Sequence, residues 1–401
     1  MLLKKLVNHS SLFVIMAGAG GFFLTNIILK IALSPIEFGQ FSLVITYLSL
    51  MYIFGLFGFE QVFIRLSRVI EINKITTQQY QIRTAIQASL LSSVLGTVVF
   101  NALYPEIKIN FLLLFLATFS MTNLMLIFTI FRLNSDFFLA QLIVNFWKVA
   151  LFLAAGIFFA SKFQFPFIET VLVTVIIGFV ASWYLLRRRI GFVYNQEFSK
   201  KEIKVYFLQF FLSILIFSFL SFGDRFVFSE LFGIEEFGNY YYLSNFFLAP
   251  FSIFQNYIGF KQIVQFKESC DRKIFDRLIF KIFSFGFVFA LVLIIITAIV
   301  DQMGFLNFAF HNHLISIALL LLIGITRLYY AAIAAMFEAL ASPKTLKMVN
   351  LNFLLFLTTV SAISFFLIKT VNQLIFAVLI VWVFRCFIFR VILFRQIRAN
   401  H

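Results

Sequence analysis

The sequence is poor in charge and in cysteine. Charged residues make up 12% of the 401 residues, and hydrophobic residues make up 62%. Charged residues normally form about a quarter of a globular chain, so a soluble enzyme, an extracellular disulfide module and a disordered tail are all excluded. The two cysteines, Cys270 and Cys386, are too far apart to form a disulfide or metal framework. The composition therefore indicates a polytopic membrane protein.

Signatures of catalysis and of nucleotide binding are also missing. The chain has four histidines and contains no HExxH, CxxC, GxSxG or Walker A pattern, so we expect no enzyme and no cofactor. Acidic residues are few, with 17 Asp and Glu against 32 Lys and Arg, which gives a net charge of +15. Most basic residues fall between apolar runs, which indicates the positive-inside rule and no nucleic-acid partner.

Twelve apolar segments are long enough to cross a bilayer core, which requires about 20 residues per helix. The first six lie at about residues 9–32, 41–64, 84–104, 111–131, 138–160 and 167–186. The last six lie at about residues 206–231, 239–262, 279–302, 314–336, 349–368 and 371–393. Lys4 and Lys5 precede the first segment as in a signal peptide, but its apolar run continues to Leu33, which predicts an uncleaved helix. The predicted fold class is an all-α polytopic membrane protein.

The basic residues lie mainly on one side of this pattern. With the N-terminus inside, the inner stretches hold 25 of the 32 Lys and Arg residues, including Arg187–Arg189 and Arg385. The outer stretches hold three, which are Lys108, Lys162 and Lys369. The other four lie within the segments. This bias predicts that both termini are cytoplasmic.

A short motif occurs once in each half of the chain. Glu37–Phe41 reads EFGQF and opens the second segment, and Glu236–Tyr240 reads EFGNY and opens the eighth, 199 residues later. Six segments per half give both halves the same orientation, which predicts a parallel repeat. We expect a six-helix bundle at 1–190, a basic cytoplasmic linker at 191–205 and a second six-helix bundle at 206–401, arranged around a central cavity.

The same motifs resemble a known family. Ser34–Phe41 and Gly233–Tyr240 are similar to the "LGPEEFGLY"-like segment of Wzx-type polysaccharide flippases, and Gly223–Phe226 resembles the "D-R/K" pattern of that family. These flippases belong to the multidrug/oligosaccharidyl-lipid/polysaccharide exporter (MOP) superfamily, which also includes drug antiporters and lipid II flippases. The resemblance implies a multi-pass protein of the bacterial inner membrane that works with other polysaccharide-assembly proteins.

Four basic residues lie within the apolar segments, where a charge costs roughly 2.5–3.5 kcal/mol on insertion scales. They are Lys30, Lys148, Arg225 and Arg327. Such charges line a cavity, pair with a carboxylate or snorkel to the surface; snorkelling explains Lys30 well, and Asp224, Asp301 or Glu338 could pair with Arg327. The first reading predicts a cationic cavity that clamps an anionic head group.

Further polar residues in the segments are candidates for coupling and for sugar contacts. They are Glu60, Asp224, Asn145, Asn245 and Asn256. Glu60 fits a proton carrier or a gate contact, and solvation at a helix end explains it equally well. The asparagines fit hydrogen bonds to sugar hydroxyls or between helices.

The main hypothesis is a flippase for a lipid-linked oligosaccharide. It would move an undecaprenyl-diphosphate-linked repeat unit from the inner to the outer leaflet for O-antigen, capsule or exopolysaccharide synthesis. Since no ATP-binding motif is present, a proton or sodium gradient or the membrane potential would drive it. The alternatives are a drug or cation antiporter of the same superfamily and an integral membrane glycan polymerase or acyltransferase, with His311 and His313 as its candidate site.

Overall fold

The computed structural model describes residues 2–161, 166–195, 197–268, 272–304, 309–340 and 343–399. The first seven helices are α1 (Leu2–Ala32), α2 (Pro35–Phe54), α3 (Phe59–Leu66), α4 (Gln79–Leu103), α5 (Phe111–Leu133), α6 (Phe137–Ser161) and α7 (Phe167–Arg189). They are followed by α8 (Lys200–Glu268), α9 (Arg272–Gln302), a 3₁₀ turn at Phe310–His313, α10 (Leu314–Leu340), α11 (Pro343–Leu367) and α12 (Val371–Ala399). Three short strands are β1 (Arg68–Glu71), β2 (Lys74–Thr77) and β3 (Gly191–Tyr194).

The helices confirm the predicted fold class. Among the described residues, eleven helical stretches are long and apolar enough to cross a membrane. One of them, Lys200–Gln255, has 56 residues, far more than the roughly 20 that one crossing requires. The count is therefore consistent with the twelve predicted segments.

The long helix α8 is divided at Gly233, whose backbone angles are φ 81° and ψ 169°. The Tyr240 hydroxyl donates a hydrogen bond to the Asp224 carboxylate across this break. In a straight helix, residues this far apart in sequence would be about 24 Å apart, so the chain reverses direction at Gly233. Glycine adopts positive φ without a steric penalty, and this turn replaces the outer loop predicted at 232–238.

The second predicted segment, 41–64, is also broken. Helix α2 ends at Phe54 and α3 begins at Phe59, with Phe57 at φ 53° and Gly58 at φ 86° between them. A Cβ atom at Gly58 would lie 2.9 Å from the carbonyl carbon of Phe210 in the first arm of α8. A glycine is therefore needed here both for its backbone angle and for close contact with α8.

The repeated motif begins a helix and contributes a residue to the packed core. Ser34 and Glu37 form a capping box, in which the Ser34 amide donates to the Glu37 carboxylate at 3.0 Å and the Glu37 amide donates to Ser34 Oγ at 3.3 Å. The aromatic residues of the two copies, Phe38 and Phe237, are both completely buried. The motif thus supplies a helix start in the first copy and a core aromatic residue in both.

A three-stranded sheet is present that the sequence analysis missed. Strand β2 pairs antiparallel with β1 and parallel with β3, with Ile75 opposite Phe192. The Asn73 amide donates to Asn134 Oδ1 at 3.0 Å, which ties the hairpin to the loop after α5. The predicted linker at 191–205 therefore contains β3 and the start of α8, because its backbone completes a sheet with residues more than a hundred positions earlier.

The chain forms two compact units, Met1–Phe222 (unit 1) and Gly223–His401 (unit 2). The division falls within the first arm of α8, whereas the sequence predicts the second bundle from residue 206. Phe207 and Phe211 explain the difference, because their rings pack on Phe59 at 4.8 Å and Phe57 at 5.8 Å in unit 1. The beginning of α8 is thereby held by the first half of the chain.

Candidate substrate-binding site

Asp224 is the centre of a charged cluster in unit 2. Its carboxylate accepts the hydrogen bond from Tyr240, and the guanidinium groups of Arg225 and Arg327 both act on it electrostatically. Tyr240 is almost fully buried. We call Asp224, Arg225, Tyr240 and Arg327 the Asp224 cluster. It contains two guanidinium groups and one carboxylate, so its positive charge exceeds its negative charge.

Arg225 lies over an aromatic ring of the second arm of α8. Its guanidinium carbon is 5.1 Å from the centroid of Tyr241, a distance typical of a cation–π contact. The Nδ2 atom of Asn245 has no hydrogen-bond partner among the described residues. The reversal at Gly233 thus sets two consecutive tyrosines, Tyr240 and Tyr241, against the consecutive charges Asp224 and Arg225.

Arg327 joins the cluster from α10. Its guanidinium carbon lies 5.3 Å from the ring centroid of Trp382 on α12, and its Nε atom has no hydrogen-bond partner in the described part of the chain. Arg225 repels it, and Asp224 attracts it. Of the partners proposed from sequence, Asp224 acts on Arg327, and Asp301 is hydrogen-bonded to His311. The side chain of Glu338 lies outside the described residues.

Arg385, which the sequence analysis counted with the inner stretches, is a buried charge. It is 5% exposed on α12, and its guanidinium carbon lies 4.7 Å from the ring centroid of Tyr330 and 5.1 Å from that of Phe353. Its Nε and Nη1 atoms have no hydrogen-bond partner among the described residues. The aromatic rings enclose the cation, and a rule based on charge position alone does not detect such a cage.

In unit 1, Lys148 belongs to a polar row along α6. Its Nζ atom donates to Asn145 Oδ1 at 3.3 Å, and Asn145 Nδ2 donates to the Gln141 backbone oxygen at 2.9 Å. A Cβ atom at Gly18 of α1 would lie 2.4 Å from Asn145 Cβ. The polar row predicted from the sequence is therefore continuous, and it faces the place where α1 approaches α6 most closely.

Lys30 lies apart from this row, at the end of α1. Its Nζ atom is 5.3 Å from the ring centroid of Phe38 at the start of α2, and the side chain is half-buried. The structure therefore does not place Lys30 with Asn145 and Lys148 in unit 1. Asn256 is the one predicted site residue whose side chain lies outside the described residues.

Glu60 lies in the first turn of α3 and is completely buried. Neither carboxylate oxygen has a hydrogen-bond partner among the described residues. Its burial rules out solvation at a helix end. An unpaired buried carboxylate is costly unless it takes up a proton or a cation, so Glu60 has the chemistry of a coupling group.

His311, one of the two candidate catalytic histidines, has a structural partner. His311 Nδ1 is 2.9 Å from Asp301 Oδ2, and the Phe310 amide donates to Asp301 Oδ1 at 2.9 Å. These contacts join the end of α9 to the 3₁₀ turn before α10. Among the described residues, no group of three His, Cys, Asp or Glu side chains could hold a metal ion.

Comparison by sequence with protein families and with curated proteins finds no match. Comparison of structures finds an outward-facing multidrug resistance MATE family transporter of the MOP superfamily, with a TM-score of 0.62 at 14% identity, covering 99% of this chain and 96% of that chain. A MOP superfamily transporter from Pyrococcus furiosus has a TM-score of 0.57 at 13% identity, covering 99% and 97%. Its description reports a binding pocket of reverse polarity that suggests a different function. The chain therefore has the fold of the MOP superfamily transporters.

Proposed function

We propose that the chain is an alternating-access transporter that moves a polyprenyl-diphosphate-linked oligosaccharide from the inner to the outer leaflet of the bacterial inner membrane. The product is used to assemble a surface polysaccharide. The observation that carries this proposal is the excess of guanidinium over carboxylate in the Asp224 cluster. A site with this balance favours an anionic ligand over a cationic one.

The side chains of the cluster match a diphosphate chemically. A guanidinium group can donate two parallel hydrogen bonds to phosphate oxygens, and it is less strongly hydrated than an ammonium group. The hydrogen bond from the Tyr240 hydroxyl holds the negatively charged carboxylate of Asp224 in place. In a poorly solvated site, the attraction between guanidinium and phosphate is much stronger than in water.

The driving force that we propose is electrical or ionic. Moving a negatively charged head group outward is favoured by an inside-negative potential, at about 2.3 kcal/mol per charge per 100 mV. Glu60 in unit 1 supports ion coupling, because its buried carboxylate has no hydrogen-bond partner among the described residues. A proton or a sodium ion bound there would neutralise it.

A drug or cation antiporter is the second candidate. Its support is that the similar solved structures include multidrug resistance MATE family transporters. The buried carboxylates Asp224 and Glu60 would suit a cationic ligand. The arginines around Asp224 count against a cation in unit 2.

Binding to the purified chain in nanodiscs separates the two candidates. We expect the wild type to bind a short-chain polyprenyl diphosphate, and Arg327→Gln to weaken this binding at least tenfold. Tetraphenylphosphonium serves as the cationic probe, and Lys369→Gln, which changes an exposed lysine, serves as the control. Binding of tetraphenylphosphonium without binding of the diphosphate would establish the antiporter instead.

A further inference from the structure

Unit 2 has a separate crevice at one of its ends. The chain reversal at Gly233 and the segments just before α10 and α12 form this end. Its volume is about 520 Å³, within the range of about 300–1,000 Å³ that is usual for ligand pockets. The sequence predicts that all three of these connections are on the outer side. We call this cavity the outer crevice.

The lining of the outer crevice combines a larger apolar surface with a set of neutral polar side chains. Side chains of this kind in the lining include Asn239, Asn312, His313, Ser316 and Asn372. Glu236 is the one carboxylate among the lining residues, and none of the lining residues that the structure describes is Lys or Arg. Amides, hydroxyls and one carboxylate offer many directional hydrogen bonds and little charge, which fits a ligand with many hydroxyl groups.

Its walls are already fixed in position. Ser316 Oγ donates to Asn372 Oδ1 at 2.6 Å, which joins α10 to the start of α12. Asp301 holds the turn at Phe310 and His311 through the hydrogen bonds described above. A pocket that is ordered before binding pays less conformational entropy when a ligand enters.

The crevice also has an aromatic wall that connects it to the Asp224 cluster. Phe228 and Tyr240 both line it, and their rings stack with centroids 4.4 Å apart at 3°. Both rings are almost fully buried, so the stacked pair forms the inner wall of the crevice. Tyr240 therefore contributes its ring to the crevice and its hydroxyl to Asp224.

We infer that the outer crevice is a carbohydrate-binding site that takes an uncharged or weakly charged oligosaccharide. Its role in transport rests on the proposed function: the sugar would occupy the crevice while the diphosphate is near the arginines. Sugar binding itself does not depend on that function. Glu236 and the amides provide hydrogen bonds to hydroxyl groups, and the apolar part of the lining packs against the C–H faces of the sugar rings.

The test uses the full chain in nanodiscs on an array of bacterial surface oligosaccharides that carry no lipid and no phosphate. We expect the wild type to bind a subset of these glycans, and Glu236→Gln to reduce that signal at least tenfold. Glu235→Gln is the matched control, because Glu235 is the neighbouring exposed carboxylate outside the crevice lining. Asn312→Leu provides a second variant, and thermal unfolding verifies that each protein is folded.

The outcomes separate this inference from the proposed function. Arg327→Gln is expected to keep glycan binding while it loses diphosphate binding. The carbohydrate site would be overturned if the wild type bound no glycan, or if Glu235→Gln lost as much glycan binding as Glu236→Gln. It would also be overturned if the crevice bound tetraphenylphosphonium instead of glycans. If Glu236→Gln transferred lipid-linked oligosaccharide at the wild-type rate, the proposed flippase function would be retained, and the crevice would have no role in transport.

Discussion

At the residue scale, the main feature of the protein is a small set of buried charges held by aromatic rings. Arg225, Arg327 and Arg385 each lie about 5 Å from a tyrosine or tryptophan ring. Position within an apolar segment predicts Arg225 and Arg327, because a charge there is costly. The same rule applies to Arg385, which lies inside the predicted segment 371–393, although we counted it with the inner stretches. Its aromatic cage could not be predicted, because Tyr330 and Phe353 lie on other helices.

Neutralising Arg225 or Lys148 is expected to abolish export. Arg225→Gln removes one of the two cations near Asp224, and Lys148→Met removes the cation of the polar row on α6. Each change is expected to lower transfer of a labelled lipid-linked oligosaccharide at least tenfold while the protein still inserts into the membrane. Lys204→Gln, which changes an exposed residue at the start of α8, is the control. Transfer at the wild-type rate by both variants would make these residues structural.

Removing the Tyr240 hydroxyl is expected to destabilise unit 2. In Tyr240→Phe the buried Asp224 carboxylate loses a hydrogen-bond donor, at a cost of about 1–3 kcal/mol. Thermal unfolding in detergent should show a lower Tm. Tyr194→Phe, at an exposed tyrosine on β3, should leave the Tm unchanged. Equal Tm values for Tyr240→Phe and the wild type would show that this hydrogen bond contributes no net stability.

At the element scale, glycines decide where helices approach each other or stop. Gly18 and Gly21 of α1 lie against Asn145 and Phe152 of α6, whereas Gly20 faces open space. The sheet could not be predicted in the same way. Its strands have four residues each, and β3 pairs with a strand more than a hundred residues away, so local periodicity carries no sign of it.

A matched pair of substitutions tests the α1–α6 contact. Gly18→Ala places a Cβ atom 2.4 Å from Asn145 Cβ, so the helices must move apart at a cost of about 1–3 kcal/mol. Gly20→Ala, two residues away, has no atom within 4 Å of the new Cβ and is expected to be neutral or slightly stabilising. Thermal unfolding distinguishes the two variants. If Gly18→Ala had the same Tm as Gly20→Ala, this result would contradict the close contact between α1 and α6.

At the scale of the whole molecule, the sequence predicts the architecture better than the site. Hydropathy and the distribution of Lys and Arg predict about twelve membrane helices, and the helices of the structure largely cover those segments, although α1, α9 and α11 each begin six or seven residues earlier than predicted. The two-bundle arrangement around a central cavity stays a prediction. The Asp224 cluster depends on the reversal at Gly233, which brings Tyr240 to Asp224, and no periodic pattern along one helix contains that information.

The most direct test of the central claim is transfer of a labelled polyprenyl-diphosphate oligosaccharide across proteoliposomes that contain the purified chain. The account predicts transfer that depends on the protein, is faster with an inside-negative potential, and is lost in Arg225→Gln. Ethidium accumulation in the same vesicles measures the competing drug-antiport activity. Ethidium transport without movement of the lipid-linked oligosaccharide, by a correctly folded protein, would contradict the flippase.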